Sequence, residues 1–373
     1  MGIVVDKKTI IENIFKQNLD IKSNEVVLIY TDKISSGEKV TEIERAKREK
    51  LPKIASEFAE IGRKLAAVKY IEYESVKEHG TEPPLPVWNS AFGPKVLKFI
   101  KENKLSIPIF LKTLDKFQKA QLYEFISLNN EECVNAVIAL SNYSTSHTLF
   151  RDLLTEYGGA RFASMPLFDE SMFETALNVE SSVLADFTLF VLEQLKDASI
   201  INIKAPNGTD ITFHIRSGGF MADTGMLNKR GAFSNLPAGE IYTAPLEGRT
   251  SGKFVMEYAP TNKLDYPITL YIDKGMVKYI EGSDKFKDHL IDSIKNNNLI
   301  SNIAELGIGT NKAAKNILNV LEAEKIFGSI HIALGDNSSF GGNVRVNFHE
   351  DFILFAPVIK ITTKAGKEFI LKP

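Results

Sequence analysis

Residues 200–215 read IINIKAPNGTDITFHI, and this stretch decides how the chain is divided. Two runs rich in β-branched residues flank the segment Pro206-Asn207-Gly208-Thr209-Asp210. Asn-Gly is a strong hairpin signal because it tolerates positive φ, so the stretch predicts two antiparallel strands joined by a tight turn. From this hairpin to the carboxyl end, short strand-like runs alternate with glycines and turn residues, which predicts strand-rich structure.

The chain before the hairpin has a different pattern of apolar residues. Val26-Val27-Leu28-Ile29-Tyr30 and Ala136-Val137-Ile138-Ala139-Leu140 are typical of buried strands, and segments with apolar residues at helical spacing lie between them. This alternation predicts an α/β domain with a largely parallel sheet. For a chain of 373 residues we expect two domains, an amino-terminal α/β domain over 1–195 and a strand-rich α+β domain over 196–373.

Composition and charge limit the possible partners. The 45 Lys and Arg residues nearly balance 47 Asp and Glu residues, so a net charge of −2 creates no bulk attraction for nucleic acid or an anionic membrane. No uncharged apolar run approaches the roughly 20 residues of a membrane span, and the first residues lack a secretory signal pattern. Cys133 is the single cysteine, which excludes an intrachain disulfide and a thiolate metal cluster. We therefore expect a cytoplasmic protein without nucleic-acid or membrane partners.

Two histidine segments indicate a metal site. In Phe348-His349-Glu350-Asp351-Phe352, residues two apart share one face of a strand, so His349 and Asp351 project together. Such a pair in apolar surroundings is costly unless it forms an ion pair or binds a metal. His331 begins a strand that enters a glycine-rich loop, a common setting for functional residues, although a core histidine would also fit.

Two glutamates are further candidates. Glu305 precedes a Gly-x-Gly turn and a helix predicted to begin near Lys312, and Glu240 lies in a segment whose prolines and glycines restrict the backbone. Each is either an inward-facing carboxylate or a solvated one.

The candidate residues lie within motifs of a known family. Asn-Leu-Pro-Ala-Gly-Glu-Ile-Tyr-Thr-Ala-Pro at 235–245, Glu-Leu-Gly-Ile-Gly at 305–309, His-Ile-Ala-Leu-Gly at 331–335 and His-Glu-Asp at 349–351 resemble the aminopeptidase T type of metalloaminopeptidase in order and rough spacing. Ser-Asn-Tyr-Ser-Thr-Ser-His-Thr at 141–148, followed by Ala-Ser-Met-Pro at 163–166, is similar to the amino-terminal domain of the same group. The resemblance implies a homodimeric hydrolase that removes amino-terminal residues from small peptides by means of a metal-activated water.

The resemblance also implies a dinuclear centre. It places two divalent ions (Zn, Co or Mn) in the carboxy-terminal domain, with ligands Glu240, Glu305, His331, His349 and Asp351. Glu324 is the best match to a sixth ligand, although it lies seven residues before His331 rather than five. Ser338 stands where the family has a tyrosine, and no general base is assigned.

Two other interpretations stay open. A ring-opening dioxygenase that acts on dihydroxypyridines resembles the same fold, and His331, His349 and Asp351 could form its two-histidine, one-carboxylate Fe(II) triad. A degenerate relative that binds metal without catalysis is the third possibility. A single Fe(II) would leave Glu240 and Glu305 uncompensated, so charge balance favours the dinuclear hydrolase as the expected function.

Overall fold

The structure is a computed structural model that describes residues 6–260 and 262–371. The chain forms two compact units. The first extends to Ser181 and includes the later segment Gly225–Leu236, and the second comprises Ser182–Thr224 and the chain from Pro237 onward.

The first unit is the α/β domain that the sequence predicts. Its strands are β1 (Val26–Lys33), β2 (Ala67–Glu74), β3 (Ala136–Ala139), β4 (Arg161–Ser164) and β8 (Phe233–Asn235). They form one parallel sheet in the order β2-β1-β3-β4-β8. The helices are α1 (Lys7–Asn13), α2 (Glu42–Arg48), α3 (Leu51–Gly62), α4 (Leu85–Glu102), α5 (Ser106–Phe110), α6 (Lys116–Leu128) and α7 (Leu149–Asp152).

Periodic apolar residues hold this unit together. The strand β1 is buried from Val27 to Asp32, as expected for a parallel strand covered on both faces. Along α3, Leu51, Ile54 and Phe58 recur at helical spacing and are buried. Cys133 lies in the apolar core of the same unit, where burial raises the pKa of its thiol to about 11.

The second unit is the strand-rich domain. It contains a seven-stranded sheet in the order β12-β11-β10-β6-β5-β16-β17 and a five-stranded sheet in the order β15-β14-β13-β9-β7, both antiparallel. The strands are β5 (Ala198–Lys204), β6 (Asp210–His214), β7 (Met221–Asp223), β9 (Glu240–Thr243), β10 (Ser251–Ala259), β11 (Asn262–Asp273), β12 (Met276–Glu281), β13 (Ile303–Gly309), β14 (Ile330–Gly335), β15 (His349–Leu354), β16 (Val358–Thr363) and β17 (Glu368–Leu371). The helices are α8 (Ser181–Leu195), α9 (Phe286–Asn296) and α10 (Val320–Ala323).

The two antiparallel sheets share one hydrophobic core. Ile203 and Phe213, from the predicted hairpin, belong to the same buried cluster as Leu306, Ile332 and Phe352 of the five-stranded sheet. Because side chains alternate along a strand, the five-stranded sheet has a second face that is free to carry polar residues. That face holds the candidate site.

The structure differs from the sequence prediction at two places. The predicted boundary after residue 195 falls at the end of α8, whereas the second compact unit begins at Ser182, because Val191 and Leu195 of this helix pack into the core of that unit. No helix begins near Lys312, because the segment 310–319 is irregular. The backbone amides of Lys315 and Asn316 in this segment donate to the buried carboxylate of Glu322. Glu305 therefore lies within the strand β13 and not ahead of a helix.

None of the helices in the described residues combines the length and hydrophobicity of a membrane span. The cytoplasmic location and the homodimer stay predictions.

The buried side chain of Glu82 is predicted to stabilise the start of α7 in the first unit. Its buried carboxylate accepts hydrogen bonds from the backbone N–H groups of Leu149 (2.7 Å) and Phe150 (3.0 Å) at the start of α7. Glu82→Ala leaves both amides without this acceptor, so we expect about 1–3 kcal/mol of lost stability in urea unfolding. Glu78→Ala, at an exposed position four residues earlier, is the control. Equal stability of the two variants would contradict the capping role.

Candidate metal centre

The candidate residues converge because of the register of the five-stranded sheet. Ala333 of β14 pairs with Asp351 on one side and with Glu305 on the other, and partners in an antiparallel ladder point to the same face. His331, two residues before Ala333, shares this face and lies opposite Gly307. Gly307 in turn pairs with Tyr242, two residues after Glu240. Ligand candidates from four strands thus share the face that points away from the core.

Imidazole nitrogens face carboxylate oxygens across this surface. The Nε2 atom of His331 lies 3.4 Å from Oε1 of Glu305 and 3.5 Å from Oε2 of Glu240. The Nε2 atom of His349 lies 3.3 Å from Oε2 of Glu305 and 3.6 Å from Oδ1 of Asp351. Donor atoms that bind one transition metal at about 2.0–2.2 Å are themselves about 3 Å apart, so these separations suit ligands around a common point.

Two further observations fit a cation at this place. One ligand atom each from Glu305, His349 and Asp351 lies within 4.8 Å of the others. Among the described residues, Oδ1 of Asp351 and Oε2 of Glu240 are buried atoms that lack a hydrogen-bond partner. Buried carboxylate oxygens are rarely left without a partner, and a bound cation would satisfy both of these atoms.

The surrounding charges also favour a cation. Burial opposes the charged form of His331, but its contact with Glu305 and the charge of Glu240 raise its pKa to about 9. Burial acts in the same way on His349, and Asp351 and Glu305 outweigh it and hold the pKa of His349 well above its usual range. The carboxylates thus favour positive charge at both imidazoles, which either a proton or a bound metal ion would supply.

Neighbouring groups orient both histidines. The Nδ1 atom of His349 donates to the carbonyl of Asp336 at 2.8 Å, which holds Nε2 toward the carboxylates, where it could bind a metal. The ring of His331 lies directly over Gly307, where an added Cβ would be 2.0 Å from Cε1 of the imidazole. Glycine is required at 307 because the ring occupies the space of a side chain.

Lys325 is the residue that sequence reasoning missed. Its fully buried ammonium group donates to Oε1 of Glu240 at 2.6 Å and to Oε2 of Glu324 at 2.8 Å. Burial opposes its charge, but the two carboxylates outweigh this effect and hold the pKa of Lys325 well above its usual range. No spacing or motif indicated that this lysine points inward, because it follows a short helix in an irregular segment.

The six predicted ligands therefore divide into two groups. Glu240, Glu305, His331, His349 and Asp351 lie together, and Glu240 is shared between His331 and Lys325. The carboxylate of Glu324 is buried and contacts the lysine. Whether each residue binds metal stays a prediction. Ser338, at the place of the expected tyrosine, closes a turn by donating from its N–H and its hydroxyl to Asp336.

Two aromatic side chains border the cluster. The ring of Phe340 meets the ring of His349 edge-on, with 5.9 Å between centroids, and meets that of Tyr242 at the same separation. Tyr242 could have been found from the sequence, since it lies two residues after Glu240 in a strand. Phe340 could not, because it lies in a loop whose course depends on hydrogen bonds from Val344 and Val346 to Asn337 and Asp336.

Comparisons with known proteins relate this fold to a dioxygenase. The family model described as NicX, 2,5-dihydroxypyridine 5,6-dioxygenase, matches residues 183–364. The solved structure of 2,5-dihydroxypyridine dioxygenase from Pseudomonas putida KT2440 is similar with a TM-score of 0.65 and 17% identity, over 98% of this chain and 97% of that one. Wild-type AmpT from Thermus thermophilus is similar with a TM-score of 0.54 and 14% identity, over the same shares. No curated protein sequence matches this chain. At these identities the two structures show a shared fold.

The predicted class of enzyme was wrong. The matching family model describes a dioxygenase, and the similar structure with a TM-score of 0.65 is that of a dioxygenase. Both findings point to an oxidoreductase and not to a hydrolase or protease. The prediction rested on the order of the family motifs, and charge balance supported it. That balance did not include Lys325, which supplies a positive charge beside Glu240 and Glu324. The grouping of Glu305, His349 and Asp351 fits a metal-dependent protein, and the number of ions stays a prediction.

A substitution at Gly307 tests whether His331 is a metal ligand. In Gly307→Ala the new methyl group displaces the ring of His331, so we expect Mn²⁺ affinity to fall by about 10- to 100-fold, as is common when the support of a ligand is lost. Isothermal titration calorimetry of metal-free protein with Mn²⁺ measures this change in affinity. Ser339→Ala, at an exposed position, should keep the original affinity. A folded Gly307→Ala protein with unchanged affinity would show that His331 is not a ligand.

Proposed function

We propose that this protein is a mononuclear Fe(II) dioxygenase that opens the ring of a hydroxylated pyridine. The observation that carries the proposal is the convergence of His331, His349, Glu305 and Asp351 on one face of the sheet. The match of residues 183–364 to a dihydroxypyridine dioxygenase family supports the reaction and the class of substrate.

The available donors suit this metal. Two imidazoles and a carboxylate on one side of an ion are the usual ligands of non-haem Fe(II) oxygenases, and they leave positions open for other molecules. We assign His331, His349 and Asp351 to this role, with Glu305 between the two imidazoles. The two carboxylates of this group balance the charge of one divalent ion. When bound, Fe(II) would supply the activation of dioxygen beside a coordinated, electron-rich ring.

The side chains around the cluster suit a flat aromatic substrate. Phe340 packs edge-on against His349, and Tyr242 packs edge-on against Phe340, so a planar ring near the metal would meet aromatic surface. The hydrogen bond from His349 to the Asp336 carbonyl ties this ligand to the start of the loop that carries Phe340. The same short segment therefore orients a metal ligand and forms a side of the proposed substrate site.

The proposed reaction balances without a further reductant. One carbon–carbon bond of the ring breaks, and each of its two carbons receives one atom of dioxygen. The ring supplies the four electrons that reduce dioxygen. One substrate and one dioxygen therefore give one open-chain product.

Oxygen uptake tests this proposal. Protein loaded anaerobically with Fe(II) should consume one dioxygen per 2,5-dihydroxypyridine, with loss of the ring's ultraviolet absorbance. His349→Ala and Asp351→Asn should each lower kcat at least about 100-fold, since each removes a ligand. His289→Ala, which changes an exposed histidine outside the cluster, should retain activity. Absence of uptake across a panel of hydroxylated pyridines with iron bound would contradict the proposal.

Phe340→Ala tests the aromatic side of the site. Loss of aromatic contact of about 0.5–1.5 kcal/mol should raise KM about 2- to 12-fold while kcat changes less. Phe117→Ala, which removes an exposed ring in the first unit, is the matched control. An unchanged KM in the oxygen-uptake assay would place the substrate elsewhere.

A further inference from the structure

The surroundings of Lys325 suggest a function for its charge. A fully buried ammonium group is unfavourable unless carboxylates and hydrogen bonds compensate it. Here Glu240 and Glu324 contact it at 2.6 and 2.8 Å, and both are themselves buried. The lysine is therefore an integral cation of the cluster and not a surface residue that folds inward.

The backbone fixes the lysine in place. The N–H of Asn311 donates to the carbonyl of Lys325 at 2.8 Å. A Cβ on Gly309 would lie 2.1 Å from the carbonyl oxygen of Ile326 and 2.8 Å from that of Glu324, so the segment 324–326 lies flat against this glycine. Because Gly309 pairs with Glu240 across the ladder, the same contact brings the lysine to its carboxylate partner.

Glu240 connects the lysine to the metal ligands. One of its oxygens accepts the hydrogen bond from Lys325, and the other lies 3.5 Å from Nε2 of His331. Glu240 thus has a permanent cation on one side and the candidate metal position on the other. A second divalent ion bound between Glu240 and Glu324 would have to displace the ammonium group or lie against it, where like charges repel.

We propose that Lys325 occupies the second cation position of this centre and so limits the protein to one divalent ion per chain. The inference rests on the proposed function, in that it requires metal at the histidines. Glu240 and Glu324 accordingly serve as counter-ions of Lys325, and Glu240 also positions His331. This assignment explains why carboxylates that suit two metal ions accompany a mononuclear reaction.

Metal counting tests the proposal. Metal-free protein is dialysed against Mn²⁺, and bound metal per chain is measured by mass spectrometry, with electron paramagnetic resonance to report whether two Mn²⁺ ions are coupled. We expect one uncoupled ion in the wild type. Lys325→Met is similar in length and uncharged, and should bind two ions with a coupled signal. Lys315→Met, at an exposed position nearby, should bind one.

A double variant controls for the loss of packing. Lys325→Met with Glu324→Gln has the same methionine but lacks a carboxylate that the second ion needs, so its count should return to one. If Lys325→Met folds only with metal, refolding it in Mn²⁺ gives the same count. Two ions in the wild type, or one in folded Lys325→Met, would overturn the inference. One ion in both proteins, with oxygen uptake intact, would leave the proposed function standing, whereas no bound ion in the wild type would refute both.

Discussion

The carboxylates on one face of the five-stranded sheet impose the constraint on which the site depends. Glu240, Glu305 and Asp351 lie on this face, and the buried Glu324, which follows α10, contacts Lys325 beside Glu240. Buried negative charges are tolerated only with cations or donors in contact. Lys325 supplies one such cation, and the two histidines, either protonated or bound to a metal, supply the remaining contacts. The fold therefore has to bring positive charge to this face, and this requirement makes it a candidate metal centre.

The packing of the two antiparallel sheets around one core makes that arrangement possible. Antiparallel strands alternate their side chains, so one face of the five-stranded sheet joins a large apolar core while the other collects polar groups. Two glycines of β13 complete the geometry, since Gly307 leaves space for the ring of His331 and Gly309 lets the chain at Lys325 approach. Neither glycine has a positive φ, so both are needed for close approach and not for a turn.

The same constraint explains how the sequence led to the wrong class of enzyme. The carboxylates and histidines could be identified by their motifs, and five of the six lie together. Charge balance then appeared to require two metal ions, because Lys325 could not be recognised as buried. It lies in an irregular segment, and lysine is almost never fully buried without partners. The contact between Lys325 and Glu240 adds a positive charge that the balance drawn from the sequence lacked, and it supports the proposal of one divalent ion per chain.

Sequence alone determined the two-part architecture, because the period of apolar residues distinguishes helix from strand and the Asn207-Gly208 turn specifies a hairpin. It also determined that His349 and Asp351 share a face, since this follows from strand geometry within three residues. Only the tertiary structure decided that Glu305 lies in a strand, that Phe340 borders His349 and that Lys325 is the counter-ion of Glu240. These three features depend on the register between strands and on the course of loops. Register and loop course are in turn fixed by contacts between residues that are far apart in the sequence.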